Sequence, residues 1–283
     1  MIIDFHTHIF PKDVRNNREY FFFNEPEFRL LYESKNSKMI GMQDLILEMD
    51  LSGVDKSVIF GFPWNNLETA KKNNDYIIEA VNKYPKQLIG LCCLNPLSKN
   101  SSNEVERCIN AGLKGIGEVA LYNSGITEEI LFIFEPLMEI LQKHNMPLLL
   151  HTNEPVGHKY PGKSPIRLSE IYNFVKKFSK NIIVLAHWGG GLFFFNLLKK
   201  EVKDILKNVY VDTAASPFLY HPDIYKFASQ IFGADKILFG SDFPLIQPSR
   251  YFSEIKQLNI STEDINKILG DNASIIFEQY RYI

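Results

Sequence analysis

Short runs of Ile, Val, Leu and Phe recur along the chain, each bounded by turn residues. Such runs mark strands that are buried on both faces. Eight are predicted, at Ile2 to His6, Ser57 to Phe60, Leu88 to Leu94, Gly115 to Val119, Pro147 to His151, Ile182 to His187, Val209 to Thr213 and Ile237 to Ser241. Between them the periodicity changes to that of helices, at Gln43 to Leu51, Asn73 to Tyr84, Glu104 to Ala111, Glu128 to His144 and Ile166 to Phe178. In Glu128 to His144, Ile130, Ile133, Phe134, Leu137, Met138 and Leu141 keep the spacing of one buried face, and Pro136 is expected to kink or restart the helix.

Regular alternation of strand and helix implies parallel strands joined by right-handed crossovers. Eight units in 283 residues suit a closed (β/α)8 TIM barrel, read as a single domain over 1–283. The alternative is a doubly wound open sheet, and no Gly-x-Gly-x-x-Gly turn follows the first strand to support it. One connection is long. Residues 9–40 carry Tyr20, Phe21, Phe22, Phe23, Phe28 and Tyr32, expected either as a wall or lid over a ligand or as an extra helix packed on the rim.

Composition narrows the class. With 45% hydrophobic and 23% charged residues, the chain can bury a sizeable core. A net charge of -2 with dispersed basic residues offers no footprint for a phosphate backbone, so nucleic acid is not an expected partner. Cys92, Cys93 and Cys108 are odd in number and close in sequence, which argues against a disulfide framework and for a reducing cytoplasm. No apolar stretch approaches the ~20 residues that span a bilayer, and the chain opens without a signal-peptide pattern.

The positions of the ligand-type residues carry the chemistry. His6 and His8 close the first predicted strand, Glu118 lies near the end of the fourth, His151 and His187 end the fifth and sixth, and Asp242 follows the eighth. In a barrel those ends converge on one mouth, so six side chains distant in sequence can surround a small volume. Imidazole and carboxylate together suit zinc, manganese or iron. Period-two alternation sends His6 and His8 to one side while Thr7 points away.

The stretches Asp4-Phe5-His6-Thr7-His8, Leu149-Leu150-His151-Thr152, Leu185-Ala186-His187-Trp188-Gly189-Gly190, Phe239-Gly240-Ser241-Asp242-Phe243-Pro244 and Gly270-Asp271-Asn272-Ala273 resemble the amidohydrolase superfamily. The resemblance covers nearly the whole chain and is to the amidohydrolase-2 branch, which includes aminocarboxymuconate semialdehyde decarboxylase. It implies His6, His8 and Asp242 as ligands of a buried divalent metal, Zn2+ foremost with Mn2+ or Fe2+ as alternatives. His151 and His187 would face a second metal or the substrate. Glu118, in Lys114-Gly115-Ile116-Gly117-Glu118-Val119, resembles instead the strand-four glutamate of TatD-like and phosphotriesterase-related barrels, where a carboxylate bridges two ions.

That departure makes a binuclear hydrolase the leading expectation, acting on a small amide, ester, lactone or phosphoester. Metal-activated water would attack, and Asp242 would take and return its proton, with His187 beside it. The alternative is a metal-dependent, non-oxidative decarboxylase of an aromatic or unsaturated acid. A TatD-like nuclease and a metal-stabilised binding protein without catalysis rank below these. His158, His221, Trp188 and Tyr122 are candidates for contact with a small-molecule substrate, each weighed against an exposed or packing role. Asn272 is expected to cap the last helix, and a homo-oligomer is compatible with all these readings.

Overall fold

The computed structural model describes residues 1–258 and 260–278. Its strands are β1 (Ile3–His8), β2 (Lys56–Phe60), β3 (Leu88–Gly90), β4 (Ile116–Val119), β5 (Leu148–Leu150), β6 (Ile183–Leu185), β7 (Val209–Asp212) and β8 (Ile237–Leu238). All pair in parallel, in two arcs ordered β1-β2-β3 and β4-β5-β6-β7-β8. Single bridges close both seams. The Cys92 N–H donates to Gly115 O and the Gly117 N–H to Cys92 O, each at 2.9 Å, which joins the end of β3 to β4. The Phe5 N–H donates to Phe239 O at 2.7 Å and the His8 N–H to Phe243 O at 2.9 Å, which joins β8 to β1. The ring is the expected TIM barrel.

The strands read as continuous apolar runs because both of their faces are buried. Val58 and Phe60 of β2, Leu149 of β5 and Val184 of β6 belong to an inner cluster, whereas their neighbours Ile59, Leu148, Leu150, Ile183 and Leu185 pack outward under the helices. On β1 this alternation slips. Ile3 and Phe5 are inner residues, then the register with β2 shifts between Asp4 and Thr7, so that His6 and His8 also turn to the mouth. Thr7 faces away and donates its hydroxyl to Val58 O at 2.7 Å. The strand therefore runs two residues further than the hydrophobic run alone predicts.

The helix predicted around Pro136 spans Glu128–Lys143 without a break. Pro136 and Phe132, whose carbonyl the ring cannot serve, are both exposed, so water can take the missing donor's place. The long connection after β1 folds as a helix Lys12–Asn16, a tight turn Arg18–Phe21 and a helix Pro26–Tyr32, packed on the rim. Asn272 is not a cap at the surface. Buried, its amide donates to Ala234 O at 2.8 Å and Ile237 O at 2.7 Å, pinning the last helix under β8. All three cysteines are free and buried. Among the described residues no helix is long and apolar enough to cross a membrane.

Candidate metal centre

The strand ends bring His6, His8, Glu118, His151, His187 and Asp242 together. Three overlapping groups of donor atoms, His6 with His8 and Glu118, His6 with His187 and Asp242, and Glu118 with His151 and His187, each lie within 4.8 Å of one another. His6 Nε2 stands 3.6 Å from Asp242 Oδ1 and 3.7 Å from Glu118 Oε2, and His8 Nε2 stands 3.4 and 3.8 Å from the same two atoms. The other carboxylate oxygen of Glu118 lies 3.0 Å from His151 Nδ1 and 3.5 Å from His187 Nε2. Glu118 thus sits between the β1 imidazoles and those of β5 and β6.

Each ring on the β1 side is held by its far nitrogen. His6 Nδ1 pairs with Asp212 Oδ2 at 2.8 Å and His8 Nδ1 with Gly61 O at 3.0 Å, while His187 Nδ1 pairs with Ala214 O at 2.9 Å. Because the carbonyls can only accept, those rings donate from Nδ1 and turn Nε2 toward the mouth. His6 Nε2 is buried and has no hydrogen-bond partner. An orphaned imidazole nitrogen beside two carboxylates is costly unless a cation takes it up, so the residues fit a divalent ion. His151 differs, since its Nε2 faces Gly162 O at 2.9 Å and both ring nitrogens are engaged with oxygen.

Electrostatics point the same way. Burial opposes the Glu118 charge, but His6 and His151 outweigh it and hold the carboxyl well below the usual range. Burial likewise opposes Asp242, yet the His8 hydrogen bond and the charges of His6 and His187 bring it down to about 2. His187, against its burial, is raised to about 8 by Glu118 and Asp242. Both carboxylates therefore stay anionic at neutral pH. His187 and Asp242 also hold left-handed backbone angles, φ 55° and 61°, a strain tolerated where a side chain must be aimed.

Of the other candidates, Tyr122 reaches the site, its ring centroid 5.3 Å from that of His151. Trp188 does not line a pocket. Its backbone has φ 62°, and the indole is fully buried against Tyr225 with its N–H donating to Ser216 Oγ at 2.9 Å. His221 is exposed and lies 3.4 Å from Asp223, and His158 is exposed on the loop after β5, so neither is brought to the donor cluster. Two site residues escaped the sequence reading. Asp212 at the end of β7 holds His6 and also accepts the His187 and Ala214 N–H groups, at 2.9 and 3.0 Å. Asp4 accepts the N–H and hydroxyl of Ser241, tying β1 to the strand end that carries Asp242. The signal for Asp212 was present, a carboxylate at a strand end.

The amidohydrolase family model of the amidohydrolase-2 type matches residues 3–278. The chain belongs to the amidohydrolase family. It is 26% identical to 2-amino-3-carboxymuconate-6-semialdehyde decarboxylase of Dictyostelium discoideum, over 96% of this chain and 90% of that protein. It is 24% identical to gamma-resorcylate decarboxylase of a Polaromonas species, over 76% and 77%. In fold it is similar to 5-carboxyvanillate decarboxylase of Novosphingobium aromaticivorans, solved with manganese and 4-hydroxy-3-methoxy-5-nitrobenzoic acid, with TM-score 0.76, 16% identity and 98% and 96% coverage.

These relatives correct the leading expectation. The chain is a metal-dependent enzyme of this superfamily, but the proteins it resembles are decarboxylases, and the hydrolase reading falls. The preference for zinc has no support in a neighbour that binds manganese.

Proposed function

We propose that the protein is a divalent-metal-dependent, non-oxidative decarboxylase of a small aromatic or unsaturated carboxylic acid. The observation that carries this is the buried Nε2 of His6, without a hydrogen-bond partner and facing two anionic carboxylates, in a chain whose relatives are decarboxylases. His6, His8, Asp242 and Glu118 would hold the ion, through Nε2, Nε2, Oδ1 and Oε2. Its bound charge supplies attraction for the substrate's oxygens and for the electron density released as the carbon–carbon bond breaks. The second oxygen of Glu118, with His151 and His187, forms the face where a bridging role for Glu118 would be tested.

Decarboxylation requires a proton at the carbon that bears the carboxylate. The C–C bond then breaks, its electron pair returns to the conjugated system and CO2 leaves, with one proton consumed in balance. His187 would give that proton, a role supported by Nδ1 held on Ala214 O and Nε2 facing the cluster. The test is CO2 release from a panel of aromatic and conjugated acids by manganese-loaded protein in D2O, with no added oxidant. Stoichiometric CO2 and one deuterium at the vacated carbon are expected, and turnover of esters or amides without CO2 would overturn the reading.

A further inference from the structure

Two successive cysteines after β3 point opposite ways. Cys93 joins the inner cluster, and its thiol donates to Glu118 O at 3.2 Å. Cys92 turns outward into the layer between the barrel and its helices. There it meets the helix Ser101–Asn110, on which Glu104 and Cys108 stand one turn apart and share a face. Cys92 Sγ, Cys108 Sγ and a Glu104 carboxylate oxygen all lie within 4.8 Å of one another. Both cysteines are 0% exposed and Glu104 2%. A tetrahedral ion, bonded at about 2.3 Å to sulfur and 2.1 Å to oxygen, spaces its donors roughly 3.6–3.8 Å apart. Cys108 Sγ and Glu104 Oε1, at 3.3 Å, are within a few tenths of an ångström of that spacing.

The groups behind these donors hold them in place. Arg107 grips Glu104 through Nε and Nη2, each at 2.8 Å. Asn74 Nδ2, from the helix Leu67–Lys83, lies 2.9 Å from Glu104 Oε1 and 3.5 Å from Cys92 Sγ, so one amide can serve both a carboxylate and a sulfur. Hydrogen-bonded partners of this kind orient ligating side chains. Charge balances as well. Glu104 and Arg107 already cancel, and a divalent ion that replaces two thiol protons exchanges two positive charges for two. The buried net charge therefore stays at zero, which removes the main penalty for placing an ion there. Arg107, 41% exposed, continues to Asp75, 61% exposed, at 2.7 Å, so a line of charged groups leads from the surface to the thiols.

We infer that Cys92, Cys108 and Glu104 form a separate metal site for a thiophilic divalent cation of the zinc or cadmium kind. Thiolate favours softer ions, whereas the six donors at the mouth offer imidazole and carboxylate without sulfur, so the two sites differ in the ion they prefer. As each metal–sulfur bond forms, an S–H bond breaks and its proton leaves to solvent. No electron is transferred, and water supplies the fourth ligand.

The experiment reads sulfur coordination, not turnover. Manganese-loaded protein at pH 7 is titrated with Cd2+ in weak buffer, following the sulfur-to-cadmium charge-transfer band in the ultraviolet and, with an indicator dye, the protons released. A band that saturates at about one Cd2+ per chain, with about two protons released, is expected. Exchange of manganese for cadmium at the mouth would give neither signal, because those donors carry no sulfur and the resident ion already holds them deprotonated. Cys92→Ser and Cys108→Ser should each abolish the band, whereas Cys93→Ser should keep it, and near-UV circular dichroism shows that each variant is folded. Arg107→Gln, which removes the balancing charge, should weaken Cd2+ binding by about 10–100-fold. No band in the unaltered protein, no proton release, or a band that outlasts Cys108→Ser would each overturn the site. The first two readouts need no variant, so a substitution that failed to fold would not shield the inference.

Discussion

His6 Nδ1 and Asp212 Oδ2 lie 2.8 Å apart, both fully buried, so one carboxylate sets which nitrogen of the imidazole faces the donor cluster. The same carboxylate receives the His187 N–H through its other oxygen, which couples the orientation of β1 to that of β6. A carboxylate behind a ligating histidine fixes its tautomer and raises its basicity.

Asp212→Asn retains the shape and removes the charge, and its amide can face His6 either way. Metal affinity is expected to fall by about 10–100-fold with the fold intact. Competition with a chromophoric chelator reads the affinity, and near-UV circular dichroism reads the fold. An unchanged affinity would show that the pair is structural alone.

Metal should also stabilise the chain. His6 Nε2 without a partner, pressed between Glu118 and Asp242, is an unfavourable arrangement that an ion relieves. Binding to the folded state adds roughly 2.7 kcal/mol at an ion concentration 100 times Kd. Chelator-treated protein should therefore melt lower than protein given manganese, and activity should return on reloading. Asp242→Asn should lose most of both effects, because the substitution removes an anionic donor from the His6 and His8 side. A melting temperature indifferent to chelator and manganese would count against the centre.

The barrel was legible because its strands are buried on both faces and so appear as unbroken apolar runs. Leu149 lies inside and Leu148 and Leu150 outside, and the alternation that distinguishes them is invisible when all three are leucine. The six donors were legible because a barrel mouth collects strand ends. What failed had no periodic signal. Trp188 follows a donor directly, but its left-handed backbone turns the indole into the core, and the glycines after it, Gly189 to Gly191, mark a turn without saying where the indole goes. His158 and His221 lie in loops whose exposure depends on tertiary packing. Reaction class was not legible from the donors, since the same imidazoles and carboxylates serve hydrolysis and decarboxylation, and weighting Glu118 toward hydrolysis was the error that the relatives corrected.

Away from the mouth, Glu104 anchors a buried cluster. It accepts from Asn74 Nδ2 at 2.9 Å and from Arg107 through two bonds of 2.8 Å, beside the Cys108 thiol. Burial opposes its charge, yet the hydrogen bonds from Arg107, Asn74 and Cys108 prevail and lower its pKa. With the folded value depressed, the stabilisation is fully present above the unfolded glutamate pKa and is lost as pH falls through the folded one. Glu104→Gln should cost roughly 1–3 kcal/mol at pH 7 by leaving buried donors unmatched, and less in acid. Urea melts of both proteins at pH 7 and pH 4 measure this, and a difference that grows on acidification would contradict the sign.

Gly240 gives the closest test of packing behind the donors. A Cβ placed there would stand 2.8 Å from the Cβ of His6 and 3.4 Å from that of Asp212, closer to His6 than side chains tolerate. The Gly240 N–H and O also pair with the Thr213 hydroxyl, at 3.0 and 2.9 Å, so the backbone cannot retreat without breaking them. His6 is the part that yields, held only through Nδ1 on Asp212 while its Nε2 has no hydrogen-bond partner. Gly240→Ala should therefore weaken metal binding more than it destabilises the chain, because displacing one donor by a few tenths of an ångström spoils coordination while overpacking costs about 1–3 kcal/mol. The check is paired measurement of manganese affinity and of urea stability under chelator. A loss of stability with unaltered affinity would show instead that the backbone of the β8 end gives way and leaves His6 where it is.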